Sequence, residues 1–169
     1  MTEVLGARLR LRPFRATDEA AVHRYAADPE VTRYTDWGPN SPAETAAFLR
    51  EALDPPPSVH QFAVELRASG EMIGGASIRV VDEHGEFGYA FARAHWGQGY
   101  ATEAARLLVD YGFGPLGLER IAATCAPENL ASARVLSKAG LRQIDYLTDH
   151  LPVRGGWRDS LLFEIKNSF

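Results

Sequence analysis

The segment between residues 86 and 104 constrains the fold more than any other part of the chain. A candidate strand, Glu86–Phe91, is followed by the turn Trp96-Gly97-Gln98-Gly99 and by an alanine-rich candidate helix from Tyr100. Two glycines let the backbone turn sharply and let an anion approach its N–H groups without a Cβ in the way. The helix start adds unpaired N–H donors and the positive end of the helix dipole. The segment therefore predicts a phosphate or pyrophosphate site at a strand–turn–helix junction.

Two common phosphate-binding motifs do not match this segment. A Lys-Ser or Lys-Thr pair would follow the glycines in a P-loop, and none is present. A dinucleotide fingerprint would need a third glycine and a parallel βαβ unit, and neither is found around Gly97 and Gly99. On the glycines alone, a plain tight turn before a helix stays open.

Bulk composition limits the class of protein. The 169 residues fit one domain, spanning 1–169, and the net charge of −4 does not indicate binding to nucleic acid or to an anionic membrane. The chain starts without a basic-then-apolar leader pattern, and no apolar run reaches the roughly 20 residues of a membrane helix. Cys125 is the only cysteine, so no internal disulfide can form. We expect a cytoplasmic protein, monomeric or homodimeric.

Hydrophobic periodicity and turn signals predict the order of elements. The order is a strand, two helices, three antiparallel strands, a helix, a strand, a helix and two strands. This predicts a mixed α/β (α+β) domain with a mostly antiparallel sheet of about six to seven strands and helices on both faces. The predicted strands are Arg8–Phe14, Gln61–Arg67, Met72–Val81, Glu86–Phe91, Arg120–Cys125, Leu141–Leu147 and Trp157–Ile165.

Capping signals place the helix ends. Thr17 is the expected N-cap of a helix from Asp18, and Ser41 to Glu44 reads as a capping box for a helix that ends near Leu53. The third helix runs from Tyr100 to about Phe113, and the fourth is capped by Asn129 and ends at Gly140. The alternating arginines near the start predict a solvated strand face; they are Arg8, Arg10 and Arg12, followed by Arg15.

Four segments together resemble the GNAT acetyltransferase superfamily, and in particular its branch of ribosomal-protein N-terminal acetyltransferases. The first, Gly88–Phe91 with His95–Ala104, is similar to the family's acyl-CoA-binding motif. Asn129–Leu141 is similar to the branch's second motif, an Asn-led helix that ends in glycine. Leu9–Phe14 and Gly156–Leu161 match its opening and closing strands, so the resemblance covers nearly the whole chain.

The resemblance implies an acetyl-CoA co-substrate and no metal. It implies that strands Glu86–Phe91 and Arg120–Cys125 splay apart and bind the pantetheine arm like an added strand. Ala94 departs from the motif, which commonly has Gln or Arg there. Leu136 stands where related enzymes often carry a tyrosine that acts as the general acid. The expected CoA contacts are Phe91, Ala92, His95, Trp96, Gly97, Gln98, Gly99, Tyr100, Ala101, Thr102, Asn129 and Ser132.

The resemblance also implies direct transfer without a covalent intermediate, with a backbone N–H near Ala90 or Phe91 stabilising the oxyanion. Glu86 is the best-placed general base, because strand alternation gives it the same face as two small residues, although it could instead be an exposed charge at the strand end. Asp159 is the second candidate, although it could instead orient the last strand. Ser132 could meet the leaving sulfur, or lie on an ordinary helix surface. Glu103 fits a stabilising role at the helix start.

The loop after the first helix is the expected acceptor wall. Tyr34, Asp36 and Trp37 would bind the amine together with Glu86, although the aromatic side chains could also fill the core. Acidic residues around this opening, with His150, would favour a cationic acceptor; they are Asp145 and Asp149. Cys125 reads as a core residue, and the five histidines show no metal-ligand spacing.

These observations predict an acyl-CoA-dependent N-acyltransferase that acetylates a primary amine, either a peptide N-terminus or a small molecule. Nucleic acid and membrane partners are not expected. A catalytically silent acyl-CoA sensor or scaffold is the alternative, because the turn could bind CoA without efficient transfer. A nucleotide-phosphate-binding protein is a further rival.

Overall fold

A computed structural model describes residues 2–168. It contains eight strands: β1 (Val4–Leu5), β2 (Leu9–Arg12), β3 (Val59–Leu66), β4 (Met72–Val81), β5 (His84–Phe91), β6 (Arg120–Cys125), β7 (Arg142–Val153) and β8 (Gly156–Lys166). The four α-helices are α1 (Glu19–Ala26), α2 (Pro42–Leu53), α3 (Tyr100–Phe113) and α4 (Leu130–Lys138). No helix among residues 2–168 is long and apolar enough to cross a membrane.

All eight strands form one sheet in the order β1-β2-β3-β4-β5-β6-β8-β7. Every neighbouring pair is antiparallel except β5 and β6, which are parallel. This confirms the mixed α/β prediction and corrects the strand count, because the two-residue β1 adds an edge strand that its short sequence did not signal.

The sheet carries helices on both faces, because successive side chains along its strands point to opposite faces and both faces are apolar. On β3, Phe62 and Val64 join the core beneath α3 and α4, whereas Ala63 between them joins a second core beneath α1 and α2. Leu108 of α3 and Leu136 of α4 are almost fully buried in the first core. The predicted two-sided cover of the sheet is therefore confirmed.

Strands β5 and β6 diverge soon after they meet. Their parallel pairing covers only His84–Glu86 against Arg120–Ala122, although β5 continues to Phe91 and β6 to Cys125. Both strands keep their outer partners, since β5 pairs with β4 and β6 pairs with β8 along their lengths. The expected splay is thus present, and it opens a gap inside the sheet at the carboxyl ends of the two strands.

Two predictions for the N-terminal region were wrong. Arg12 is not on a solvated face: its side chain is 3% exposed and binds the carboxylates of Asp18 and Glu65 at 2.9 and 2.6 Å. Thr17 does not cap a helix, because residues 16–18 form a 3₁₀ turn and α1 begins at Glu19. Asp18 is buried and binds Arg12, six positions before it, so this ion pair overrides the capping signal at Thr17.

The last two strands are longer than their sequence predicted. Instead of a loop after Leu147, β7 continues to Val153 with two irregularities in its pairing to β8. Asp149 has a positive φ of 49°, and a tight turn at residues 154–155 joins the strands. His150 and Arg158 of the resulting hairpin are both partly buried.

Candidate active site

The glycine turn is attached directly to the end of β5. A short 3₁₀ turn, Arg93–His95, follows the strand, and the indole Nε1 of Trp96 donates a hydrogen bond to the Phe91 carbonyl at 2.9 Å. Gly97 and Gly99 then adopt φ values of +74° and +83°, which side chains with a Cβ rarely tolerate. Gly99 is the N-cap of α3. The predicted strand–turn–helix junction is therefore built as the sequence indicated.

This turn presents a run of free backbone donors. Within residues 2–168, the N–H groups of Gly97, Gln98 and Gly99 find no backbone acceptor, and the first N–H to bond back into the helix is that of Glu103. The N–H groups of Tyr100, Ala101 and Thr102, in the first turn of α3, lack helical partners by geometry. Six consecutive amides at the positive end of a helix dipole make a site for an anion.

A clamp at the start of β2, formed by Arg8 and Leu9 with Glu103, fixes the turn in place. The Glu103 carboxylate accepts hydrogen bonds from the backbone N–H groups of Arg8 and Leu9 and from Arg8 Nε, all between 2.8 and 2.9 Å. Arg8 also donates to the Gln98 carbonyl at 2.8 Å and stacks 4.4 Å from the centre of the Tyr100 ring. Burial raises the pKa of Glu103, but these donors outweigh it and the pKa is lowered overall. Glu103 thus has the stabilising role expected of it.

The clamp should make stability depend on pH in a definite direction. Because the pKa of Glu103 is lowered below its ordinary value of 4.5 in the folded chain, its contribution is complete well above pH 4.5 and is lost as the pH falls through the lowered pKa. We expect Glu103→Gln to reduce the free energy of unfolding by about 1–2 kcal/mol at pH 7 and by much less in acid. Urea denaturation at several pH values measures this.

Glu51→Gln provides the matched control, because Glu51 is exposed on α2 and makes no ion pair among the described residues. Its effect should stay within about 0.5 kcal/mol at every pH. An equal effect from both substitutions would contradict the stabilising role assigned to the Glu103 clamp.

The register of β4 and β5 identifies the backbone groups that face the gap. Ala92 N–H bonds to the Ile73 carbonyl, so the neighbouring Gly74–Phe91 pair is of the type without mutual hydrogen bonds. The N–H of Phe91 therefore points away from β4 and into the gap, whereas that of Ala90 points toward β4. Of the two oxyanion donors considered from sequence, only Phe91 has the required direction.

A pair of hydroxyl groups bridges the gap from its other side. Asn129 caps α4 by accepting a hydrogen bond from the Ser132 N–H, and the Ser132 hydroxyl lies 3.0 Å from that of Tyr89 on β5. Burial raises the pKa of Tyr89 to about 12. Sequence reasoning missed Tyr89, although strand alternation places it on the opposite face from Glu86. Leu136 is buried in the core and offers no polar group here.

On the opposite face of β5 lies a cavity of about 580 Å³. Glu86, Gly88 and Ala90 line it from the strand, and an added Cβ at Gly88 would meet no atom within 4 Å. Asp36 and Trp37 line it from the loop between α1 and α2. Three of the four residues predicted to bind the acceptor are therefore brought together, and the volume suits a small molecule or a chain end.

Other predicted residues lie elsewhere. Tyr34 and Asp159 line a neighbouring cavity of about 520 Å³, which also contains Asp149. The Asp159 carboxylate accepts hydrogen bonds from the Tyr146 hydroxyl and from the Asp149 N–H, which lower its pKa. The structure does not bring Asp159 to Glu86. Its carboxylate instead stabilises the irregular part of β7 within the β7–β8 hairpin.

The sequence predicted an acidic rim, but the cavity beside Glu86 is balanced in charge. Its charged lining residues are two carboxylates, Asp36 and Glu86, and two guanidinium groups, Arg79 and Arg158. Asp145 does not line it, whereas His150 does. Sequence alone could not show this balance, because Arg158 reaches the cavity only through the fold of the final hairpin.

Cys125 is a buried free cysteine whose pKa is raised by burial, in keeping with a core residue. Within residues 2–168, no group of three or more His, Cys, Asp or Glu side chains is arranged to hold a metal ion.

Comparison with known proteins agrees with this geometry. The family model for the acetyltransferase (GNAT) domain matches residues 8–142. The chain belongs to the GNAT acetyltransferase family. An uncharacterized N-acetyltransferase of Bacillus subtilis, YnaD, is 33% identical and the alignment covers 94% of this chain and 93% of that protein.

Solved GNAT structures resemble the whole chain. An acetyltransferase of this family from Bacillus anthracis superimposes with a TM-score of 0.90 at 31% identity, covering 98% of both chains. Mycobacterium smegmatis RimJ, solved in complex with CoA-disulfide, superimposes with a TM-score of 0.80 at 30% identity, covering 94% of this chain and 81% of that one.

The GNAT match also divides the site. It includes the glycine turn, the gap and α4, and it ends at Arg142, the first residue of β7. His150 and Arg158, which line the cavity beside Glu86, lie beyond the matched range. The part of the site common to the GNAT domain and the part contributed by the final hairpin are therefore separate in sequence.

Proposed function

We propose that the chain acts as a single N-acetyltransferase domain that transfers an acetyl group from acetyl-CoA to a primary amine. One observation carries this proposal: β5 has the free amides of the glycine turn at its end, a gap along one edge and a cavity with an unpaired carboxylate on one face. A CoA molecule and an acceptor could thus approach the same short strand from different directions.

The residues around the turn fit the chemistry of CoA. Its pyrophosphate would lie on the amides from Gly97 to Thr102, where the helix dipole adds to the hydrogen bonds. Its pantetheine arm would enter the gap between β5 and β6 and pair with backbone groups there, as an added strand does. The family match and the N-acetyltransferase name of the relative from Bacillus subtilis support CoA over ATP or NAD.

The reaction would proceed by direct attack. The neutral amine nitrogen donates its lone pair to the thioester carbon, forming a C–N bond and an oxyanion that the Phe91 N–H can stabilise. Collapse of this intermediate breaks the C–S bond and releases the CoA thiolate, while the nitrogen gives up a proton. The products are the N-acetyl amide and CoA thiol, so no external oxidant or reductant is needed.

Glu86 is the group we propose as the base. Among residues 2–168 its carboxylate forms no hydrogen bond or ion pair, and it lines the cavity on the same strand as Phe91. A free carboxylate in this position can accept the proton of an incoming ammonium group directly or through one water. Asp36, on the facing loop, would help to attract the cation.

The hydroxyl pair would serve the leaving sulfur. A thiol has an ordinary pKa of about 8.5, well below that of about 12 for Tyr89, so Tyr89 stays protonated and donates hydrogen bonds rather than protons. We therefore propose that Ser132, fixed by Tyr89 at 3.0 Å, donates a hydrogen bond to the developing thiolate. A Ser132→Ala enzyme with unchanged kcat would remove this role.

A thiol-release assay tests the proposal as a whole. We expect the chain, supplied with acetyl-CoA, to release CoA thiol in proportion to an added amine and to yield the N-acetyl product by mass spectrometry. Tight CoA binding without turnover on small amines, amino acids, polyamines and N-terminal peptides would support the silent sensor instead. Thermal stabilisation by ATP or NAD equal to that by CoA would support a nucleotide-binding protein.

A further inference from the structure

Arg158 is a cation that lines the acceptor cavity without a direct ion pair. It lies half-buried on β8, and its guanidinium donates to the Tyr34 carbonyl at 3.0 Å, to Thr124 Oγ1 at 3.2 Å and to Ser160 Oγ at 2.7 and 3.2 Å. All of these acceptors are neutral. Among residues 2–168, no carboxylate forms an ion pair with it. Burial lowers the pKa of Arg158, and the more distant charges of Asp36, Glu86 and Glu128 offset this only in part.

The hydrogen-bond geometry leaves this cation able to bind an anion. A guanidinium has five N–H groups, and the four hydrogen bonds occupy those on Nε and Nη2 and one on Nη1. One Nη1 donor remains. A half-buried charge has lost part of its hydration, and an anion in the cavity would compensate for that loss more fully than neutral oxygens do.

His150 adds a second donor at the same end. Its Nδ1 lies 2.9 Å from Ser160 Oγ, which accepts from Arg158 and therefore directs its own proton toward His150. In the neutral ring this arrangement places the remaining proton on Nε2. Both residues line the cavity, and Arg158 lies between it and the neighbouring cavity, so Nε2–H and the free Arg158 donor are the groups that would meet a bound anion there.

The cavity lining thus carries charges of both signs. Arg158 and His150 lie on the final hairpin, whereas the carboxylates of Asp36 and Glu86 come from the loop and from β5. Arg79, opposite Glu86 on β4, brings the lining to two carboxylates and two guanidinium groups. A polycation would gain little net attraction in such a cavity, whereas a molecule with one charge of each sign matches it.

We propose that the acceptor is a small amino acid, whose carboxylate binds Arg158 and whose amine faces Glu86. This inference rests on the proposed function and names the substrate class of the same site. Arg158 would be a specificity-determining residue, since it would select a carboxylate that takes no part in the bond-making step.

Matched pairs of acceptors test the inference without any substitution. Each amino acid of a panel, including α-, β- and γ-amino acids, is compared with its own carboxamide in the thiol-release assay. We expect the best amino acid to exceed its carboxamide by about 10- to 100-fold in kcat/KM, mostly through KM. The carboxamide has the more easily deprotonated amine, so the chemistry of attack works against this result.

Variants then assign the preference to Arg158. Arg158→Gln should reduce the ratio of acid to amide to about 3-fold or less, and Arg158→Lys should restore part of it. Arg154→Gln is the matched control, because Arg154 holds the same loop through the carbonyls of Thr32 and Trp37 but does not line this cavity. Its ratio should equal that of the unmodified chain.

The outcomes separate the two proposals. Acetylation of carboxamides, polyamines or N-terminal peptides at least as efficiently as any amino acid overturns the amino acid assignment and leaves the N-acetyltransferase proposal intact. An Arg154→Gln ratio that collapses like that of Arg158→Gln shows that loop position, not the cation, sets the preference. CoA binding without acetylation of any amine overturns both.

Discussion

Gly97→Val is expected to weaken CoA binding by about 100-fold or more. The residue has a φ of +74°, a conformation that a β-branched side chain does not tolerate, so the turn must rearrange. Rearrangement would misdirect several of the amides that we assign to the pyrophosphate, and charge-assisted hydrogen bonds are worth roughly 1.5–3 kcal/mol each. Isothermal titration with CoA measures the loss directly.

The hairpin turn between β3 and β4 supplies a control for backbone strain. Gly70 has a φ of +75°, and as at Gly97 an added Cβ would meet no atom within 4 Å. The strain from a valine at a positive φ should therefore lower the free energy of unfolding similarly in Gly70→Val and in Gly97→Val. CoA affinity should stay unchanged in Gly70→Val. Equal CoA affinity in the two variants would contradict the assignment of the turn.

The second large effect is expected at Glu86. Replacing it with Gln removes the proposed base and should lower kcat by about 100-fold or more for an amine with a pKa near 10.4. For an amine with a pKa near 8 the loss should be smaller, because more of that amine is already neutral. CoA affinity should not change. Steady-state kinetics with acceptors of graded pKa measure both effects.

Glu83→Gln removes the same charge from the turn before β5, outside the acceptor cavity. It should retain the full rate with every acceptor. If Glu86→Gln also retains it, or if the loss does not depend on acceptor pKa, Glu86 is not the base.

Elements defined by local signals could be predicted closely. Helix α3 and strand β6 have the predicted bounds, and Asn129 and Gly140 delimit α4 as expected, Gly140 with a φ of +97°. Such boundaries depend on residues a few positions apart. Arg12 shows the opposite case, since its burial depends on Glu65, fifty-three positions away, and no periodicity signals such a pair.

The candidate site divides in the same way. The shape of the glycine turn follows from adjacent residues and was predictable, although what it binds stays a prediction. Tyr89 could have been found from strand alternation, but its partner Ser132 lies on α4, forty-three positions later. The charge balance of the cavity was beyond sequence reasoning, because it depends on how the β7–β8 hairpin lies against β6 and the Tyr34 loop.

An open sheet ordinarily has two edges with unpaired backbone groups. The divergence of β5 and β6 creates further unpaired strand edges in the interior of this sheet. Unpaired backbone N–H and C=O groups on an outer edge strand can pair with strands of other proteins and lead to aggregation. Here the unpaired groups lie within the sheet, between two strands that are each paired on their other side. A narrow, flexible chain can reach them, whereas a whole strand with its own side chains and neighbours cannot. The fold can thus display strand-like backbone permanently without the usual hazard of doing so.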